Sequence, residues 1–198
     1  EIKPSNPYGD TKASIELMLK SIFQGSANEW KVANLRYFNP IGAHSSGLIG
    51  EDPRGKPNNL FPYLCHVAYG TYKKLYIFGN DWPTNDGTGI RDYIHVMDLA
   101  EAHRLTLEYL SGNKPKLVSL NIGTGKGTSV LELIKSFSDI NNCLVPYEFT
   151  SRRPGDYPVV VADNQLAKSI LSWEPKRNLT DMCLEGWRWH KNNPNGYS

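Results

Sequence analysis

Apolar residues recur along the chain at two periods, and the alternation between them outlines the elements. Ile15, Leu19, Ile22 and Phe23 fall on one side of a 3.6-residue spiral, so a helix is predicted from Tyr8 to about Gln24. Pro7 suits its first turn, and Gly25 and Ser26 stop it. Val32 to Phe38 reads as a strand ending at Asn39-Pro40. Residues 40–59 form a long Gly-, Pro- and Asn-rich loop, and such loops in compact proteins are usually functional or mobile. Leu60–Tyr69 reads as a helix with Pro62 in its first turn, Leu75–Phe78 as a strand and Asn80–Gly89 as a turn-rich loop. Tyr93–Val96 is extended, and Asp98 is expected to cap a helix to about Leu110 with Leu99, Ala102, Leu105 and Leu107 inward. A strand over Val118–Ile122 follows, and Ser129-x-x-Glu132 forms a capping box for a helix to about Phe137. A strand over Val145–Phe149 precedes the polar loop Ser151–Tyr157. Asp163 is expected to cap a short helix to Leu171, and Thr180 the last one, to about Lys191. Strands alternate with helices, so the class is α/β.

Composition narrows this little further. The 198 residues hold 39% hydrophobic and 21% charged residues, an ordinary globular mixture that excludes a disordered tail, a collagen-like fibre or a coiled coil. A chain of this length buries roughly 70% of its unfolded surface, enough for a core. The 22 basic residues nearly balance the 20 acidic ones, and no basic block marks a nucleic-acid or membrane partner. Cys65, Cys143 and Cys183 are far apart and odd in number, which fits reduced thiols and a cytoplasmic location better than a disulfide framework or a zinc site. His44, His66, His95, His103 and His190 lack metal-ligand spacing, so no metal is expected. The sequence opens on Glu1 rather than Met and reads as part of something longer.

Five stretches carry chemistry. Tyr8-x-x-x-Lys12 places a phenol and an ammonium about 40° apart in azimuth, one helical turn from each other. A phenol with a pKa of about 10 needs a shift of about 3 units, roughly 4 kcal/mol, to act as a base near pH 7, and a neighbouring ammonium contributes to it. Taken alone the pattern is weak, and a tyrosine packed on a lysine stem accounts for it first. In Leu35–Pro40, Asn39 stands at a strand's C-terminal end, where open α/β sheets bind ligands, or simply closes a turn. In Gly87–Tyr93, Arg91 suits a bidentate pyrophosphate contact, or else pairs with Asp92 at the surface. In Arg152-Arg153-Pro154-Gly155-Asp156, the arginine pair can clamp a diphosphate and Asp156 can accept from ribose hydroxyls; the alternative is a solvated turn. Gly123–Ser129 looks like a phosphate loop, but Gly127 stands where a Ser or Thr is needed, so it reads as a strand-to-helix turn.

The runs LRYFNPIGAHSSGLIGEDPRGKPNNL, IFGNDWPTNDGTGIRDYIHVMDLAEAH and HKNNPNGY together resemble the UDP-glucose 4-epimerases, a branch of the extended short-chain dehydrogenase/reductases. The likeness covers essentially the whole chain, as that family's C-terminal portion. It implies the end of a Rossmann-type NAD-binding domain (1–40, with later strands returning to it) and the smaller α/β UDP-sugar-binding domain (mainly 41–198), the glycine-rich NAD-binding half lying outside the chain. It implies reversible 4-epimerisation of UDP-galactose and UDP-glucose, with Tyr8 as acid/base, Lys12 supporting it and holding the nicotinamide ribose, and Phe38 against NAD. Asn39, Asn59, Leu60, Tyr76, Ile77, Phe78, Arg91 and Arg153 to Asp156 would line the UDP-sugar site. Val160 stands where some members carry tyrosine and others a small residue that admits 2-acetamido sugars, which extends the expected substrates to UDP-GlcNAc and UDP-GalNAc. The whole protein is expected to be a homodimer. The chain by itself is expected to be inactive and to expose apolar surface. The alternatives are a related NAD-dependent dehydratase or decarboxylase, or a non-catalytic UDP-sugar-binding fragment.

Overall fold

The computed structural model describes Pro4 and residues 6–26 and 29–197. Its elements are α1 (Pro7–Gly25), β1 (Lys31–Tyr37), β2 (Asn39–Ile41), α2 (Leu60–Tyr69), β3 (Leu75–Phe78), β4 (Ile90–Arg91), β5 (Tyr93–His95), α3 (Val96–Ser111), β6 (Lys116–Ile122), β7 (Thr128–Ser129), α4 (Val130–Asn141), β8 (Tyr147–Thr150), β9 (Val159–Val160), α5 (Gln165–Leu171) and α6 (Leu179–Asn192). The strands form small ladders. β1 pairs with β6, β2 with β5 and β3 with β8, each in parallel. β4 lies between antiparallel β7 and parallel β9. Parallel pairs joined through helices place the molecule in the α/β class.

Two apolar clusters hold these pieces together. The first gathers α2, β3, α4 and α6 around Leu64, Ile77, Leu133, Phe137 and Cys183. The second packs α3 and α5 on β6 through Ala102, Leu120, Ile122, Leu171 and Trp173. β5 is the septum. Successive strand side chains leave opposite faces, so Tyr93 enters the first cluster and Ile94 the second. The helix α1 is different: it packs on β1 and β6, yet none of its residues is buried. Its expected inner stripe is only half covered, Leu19 and Phe23 more than Ile15 and Ile22. A bidentate pair from Arg36 to Glu16, Nε to Oε1 at 2.7 Å, ties it to β1.

Several helix starts differ from the expectation, each for a local reason. α3 is capped by His95, whose Nδ1 accepts from the Met97 amide at 3.0 Å. Asp98 lies inside the first turn and is buried, spent on the amides of Lys176 and Arg177 and on the Arg177 guanidinium. Leu107 faces outward. Asp163 makes a turn by accepting from the Gln165 amide, and Asn164 is the residue before α5. Asn178, not Thr180, caps α6, in a reciprocal box with Asp181. The Ser129–Glu132 box forms as expected. Within the loop 40–59, the first residues join β2, and β8 starts only at Tyr147, after Pro146. No helix among the described residues is long and apolar enough to cross a membrane.

Candidate functional site

A cavity of about 430 Å³ opens between β3, the start of α2 and the turn 151–157. Its aromatic wall is β3, a short strand whose Leu75 and Ile77 are buried in the first core, with Tyr76 and Phe78 at the cavity. Part of the lining comes from Asn59, the residue before α2, and from Leu60, its first residue. Asn59 Nδ2 donates to Glu51 Oε1 at 3.4 Å. Polar groups converge on the third side. Arg91 is held on β4 by donation from Nη1 to its neighbour's carbonyl, Ile90 O, at 2.8 Å, and it forms an ion pair with Asp156. The Arg153 guanidinium lies over the Phe78 ring, 3.8 Å from its centroid. Asn39, the first residue of β2, also lines the cavity.

The two arginines of the 152–153 pair do not act together. Arg152 turns away, stacks on Trp82 at 4.0 Å and donates from Nε to Asp81 at 2.7 Å. Consecutive residues in an extended turn leave opposite sides, so only Arg153 reaches the cavity, and the expected two-arginine clamp is not formed. The surface pair Arg91–Asp92 is likewise absent. Asp92 is fully buried, accepting from the Thr124 amide and hydroxyl (2.8 and 2.6 Å), the Gly125 amide (2.9 Å) and the Ala162 amide (3.2 Å). The glycine-rich turn 123–129 therefore spends amides on an internal carboxylate, in keeping with a turn between β6 and α4.

Tyr8, Lys12 and Phe38 lie apart from this cavity. Asn6 caps α1 by accepting from the Gly9 amide at 2.9 Å, with Pro7 next, and this start sets Tyr8 in the first turn. Tyr8 is 72% exposed, and Lys12 Nζ stands 5.1 Å from its ring centroid. Phe38 follows β1, its amide donating to Ile122 O at 3.1 Å, so it marks the C-terminal end of the parallel β1–β6 pair. Val160 lies outside the cavity lining; it pairs with Arg91 in the β4–β9 ladder.

The cavity also contains residues that the sequence did not single out: Lys56, Pro57, Asn58, Tyr63 and Tyr93. Asn58 precedes Asn59, and Tyr63 lies one turn beyond Leu60 on α2, so helical spacing was the available signal for the latter. Burial pushes the Tyr93 phenol up, against the pull of Arg91, which keeps it neutral and unsuited to proton abstraction. Among the described residues no group of three or more His, Cys, Asp or Glu is placed to hold a metal, and the cysteines are free.

Residues 1–185 match the family described as GDP-mannose 4,6 dehydratase. The chain is 53% identical over 193 residues to a UDP-glucose 4-epimerase of Bacillus subtilis (strain 168), covering 98% of this chain and 56% of that protein. It is 50% identical to a UDP-glucose 4-epimerase of Neisseria meningitidis serogroup C, again over 98% of this chain and 56% of the relative. Among solved structures, the UDP-glucose 4-epimerase from Bifidobacterium longum in complex with NAD+ and UDP superposes with a TM-score of 0.93 at 42% identity, over 98% of this chain and 57% of that one. The enzyme from Stenotrophomonas maltophila, with bound NAD and formylated UDP-arabinopyranose, gives 0.90 at 46% identity over 96% and 56%. The chain thus spans a little over half the length of these relatives. On the match of its first 185 residues, it belongs to the GDP-mannose 4,6-dehydratase family.

Proposed function

We propose that the protein of which this chain is part interconverts UDP-galactose and UDP-glucose by inverting carbon 4 of the sugar, with NAD as cofactor. The observation that carries this reading is the cavity itself: an aromatic wall from Tyr76 and Phe78 suited to a base, beside Arg91 and Arg153, suited to a diphosphate. Asp156 and Asn59 add an acceptor and a donor for sugar hydroxyls. The resemblance to UDP-glucose 4-epimerases, two of them solved with NAD, supplies the reaction class.

The residues present fit one wall of an NAD site. Tyr8 and Lys12 are exposed side by side, and Phe38 stands at the C-terminal end of parallel strands, where such cofactors bind. Lys12 would hold the nicotinamide ribose and Phe38 would lie against the ring. NAD, when bound there, would supply the acceptor and donor of a hydride for carbon 4. Tyr8 does the proton work: its phenolate oxygen takes the 4-hydroxyl proton as the 4-keto sugar forms and gives it back when the alcohol is restored. The ammonium of Lys12 stabilises the negative charge on that oxygen. A nucleotide gripped by rings and cations, with a sugar held more loosely, lets the keto sugar turn between the two half-reactions. The chain on its own holds the nucleotide side of the site, so it is expected to bind UDP without turning over.

Replacing Tyr8→Phe in the full-length protein tests this. Galactose–glucose interconversion of the UDP-sugars is expected to fall by at least about 100-fold, the scale of a lost acid/base, while UDP affinity stays within about twofold. Undiminished conversion overturns the role of Tyr8, and a dehydrated or decarboxylated product overturns the reaction class.

A further inference from the structure

We propose that Lys56 is a ligand-binding residue of the same cavity, supplying a second uncompensated positive charge for the diphosphate of the nucleotide. The assignment rests on the nucleotide reading of the cavity and adds to it a residue from the long loop.

Three cations line the cavity, Lys56, Arg91 and Arg153, against one carboxylate, Asp156. Arg91 forms an ion pair with Asp156. Arg153 and Lys56 remain, and among the described residues neither has a carboxylate partner. Each instead lies against an aromatic ring on its own side of the cavity: Arg153 over Phe78 of β3, and Lys56 over Tyr63 of α2, with Nζ 5.4 Å from the ring centroid. The other carboxylates of the loop are engaged elsewhere. Glu51 accepts from Asn59, Asp52 accepts from the Tyr197 amide, and neither lines this cavity. A diphosphate carries at least two negative charges, and the three cations exceed the one carboxylate by two only when Lys56 is counted. Lys56 provides the second positive charge from beside Tyr63.

The backbone prepares this placement. Gly55 sits at φ +77°, a conformation that L residues with side chains rarely adopt, and turns the loop. Pro57, which is buried, restricts Lys56 itself to extended geometry. A lysine stem resting on an aromatic face keeps its ammonium near the ring without burying it. Lys56 is exposed, so changing it leaves the cores untouched.

The experiment uses the full-length protein, with UDP and uridine as probes followed by calorimetry at low and physiological salt. Lys56→Met keeps most of the stem and removes the charge. It is expected to weaken UDP binding by about tenfold and flatten its salt dependence, to leave uridine binding within about twofold, and to be rescued by Lys56→Arg. A UDP affinity unchanged by Lys56→Met overturns the assignment, as does an equal loss for uridine, which would mark a packing role. Wild-type protein that binds no UDP overturns the nucleotide reading, and this assignment with it. Wild-type binding with no Lys56 effect overturns the assignment alone.

Discussion

Asp92 shows how much one side chain can organise. Its two oxygens accept from the amides of Thr124, Gly125 and Ala162 and from the Thr124 hydroxyl, so they bind the turn after β6 and the segment after β9 to the strand that carries Arg91. In Asp92→Asn one oxygen becomes an NH2 group facing backbone N–H donors, in a site without water access. The expected loss is about 3 kcal/mol, the scale of a charged hydrogen-bond acceptor removed from buried donors. Urea unfolding of the two proteins measures it. At this scale the sequence was partly readable. Arg91 and Asp156 stood out by type and by the motif around them, and Asn59 only through the family resemblance. The partners did not, because Asp156 lies 65 residues from Arg91 and Arg177 lies 79 from Asp98. Only folding decides which carboxylate meets which guanidinium.

At the scale of elements, the packing of α6 on α2 depends on a missing methyl. A Cβ at Gly186 would stand 2.3 Å from Phe61 Cε1 and 2.7 Å from Cζ. Phe61 cannot withdraw, since it is buried and meets Phe137 edge-on at 5.9 Å. Gly→Ala in a helix interior normally gains about 1 kcal/mol, whereas overpacking a core costs about 1–3 kcal/mol. The second effect wins here, and Gly186→Ala is expected to lower stability by about 1–2 kcal/mol, read as a lower melting temperature. Elements themselves were visible in the chain where the cause is local. Leu60–Tyr69 and Leu75–Phe78 are legible as short, largely apolar runs, and the Ser129–Glu132 box as a four-residue pattern. The caps of α3 and α6 were misplaced because several neighbouring polar residues compete for the same amides. His95 and Asn178 won, and Asp98 was drawn to a loop that lies far along the chain.

For the whole molecule, acid sensitivity follows from two histidines between α2 and α6. His66 and His190 meet edge to face at 4.5 Å, with Tyr69, Tyr72 and Trp187 as further ring neighbours. Burial, reinforced by His66, lowers His190 to about 4; burial also lowers His66, against the pull of Asp52. Both are neutral in the fold at pH 7. The unfolded chain takes up protons near pH 6.5, before the folded one does, so stability is level above that pH and declines as the pH falls from about 6.5 towards 4. Urea midpoints at pH 7 and pH 5 are expected to differ, and the difference is expected to shrink in His190→Phe.

By itself the sequence determined the α/β class, the extents of α2 and β3, the turn character of 123–129 and the residue types able to meet a nucleotide sugar. These depend on neighbours a few positions apart, whose geometry the backbone sets directly. The tertiary structure alone decided that Arg152 and Arg153 part company, that Asp92 serves the fold and not a ligand, and that Lys56 and Tyr63 line one cavity with the aromatic strand. Those outcomes depend on side chains brought together across long loops, where a single χ rotation or the position of one ring chooses between surface and cavity.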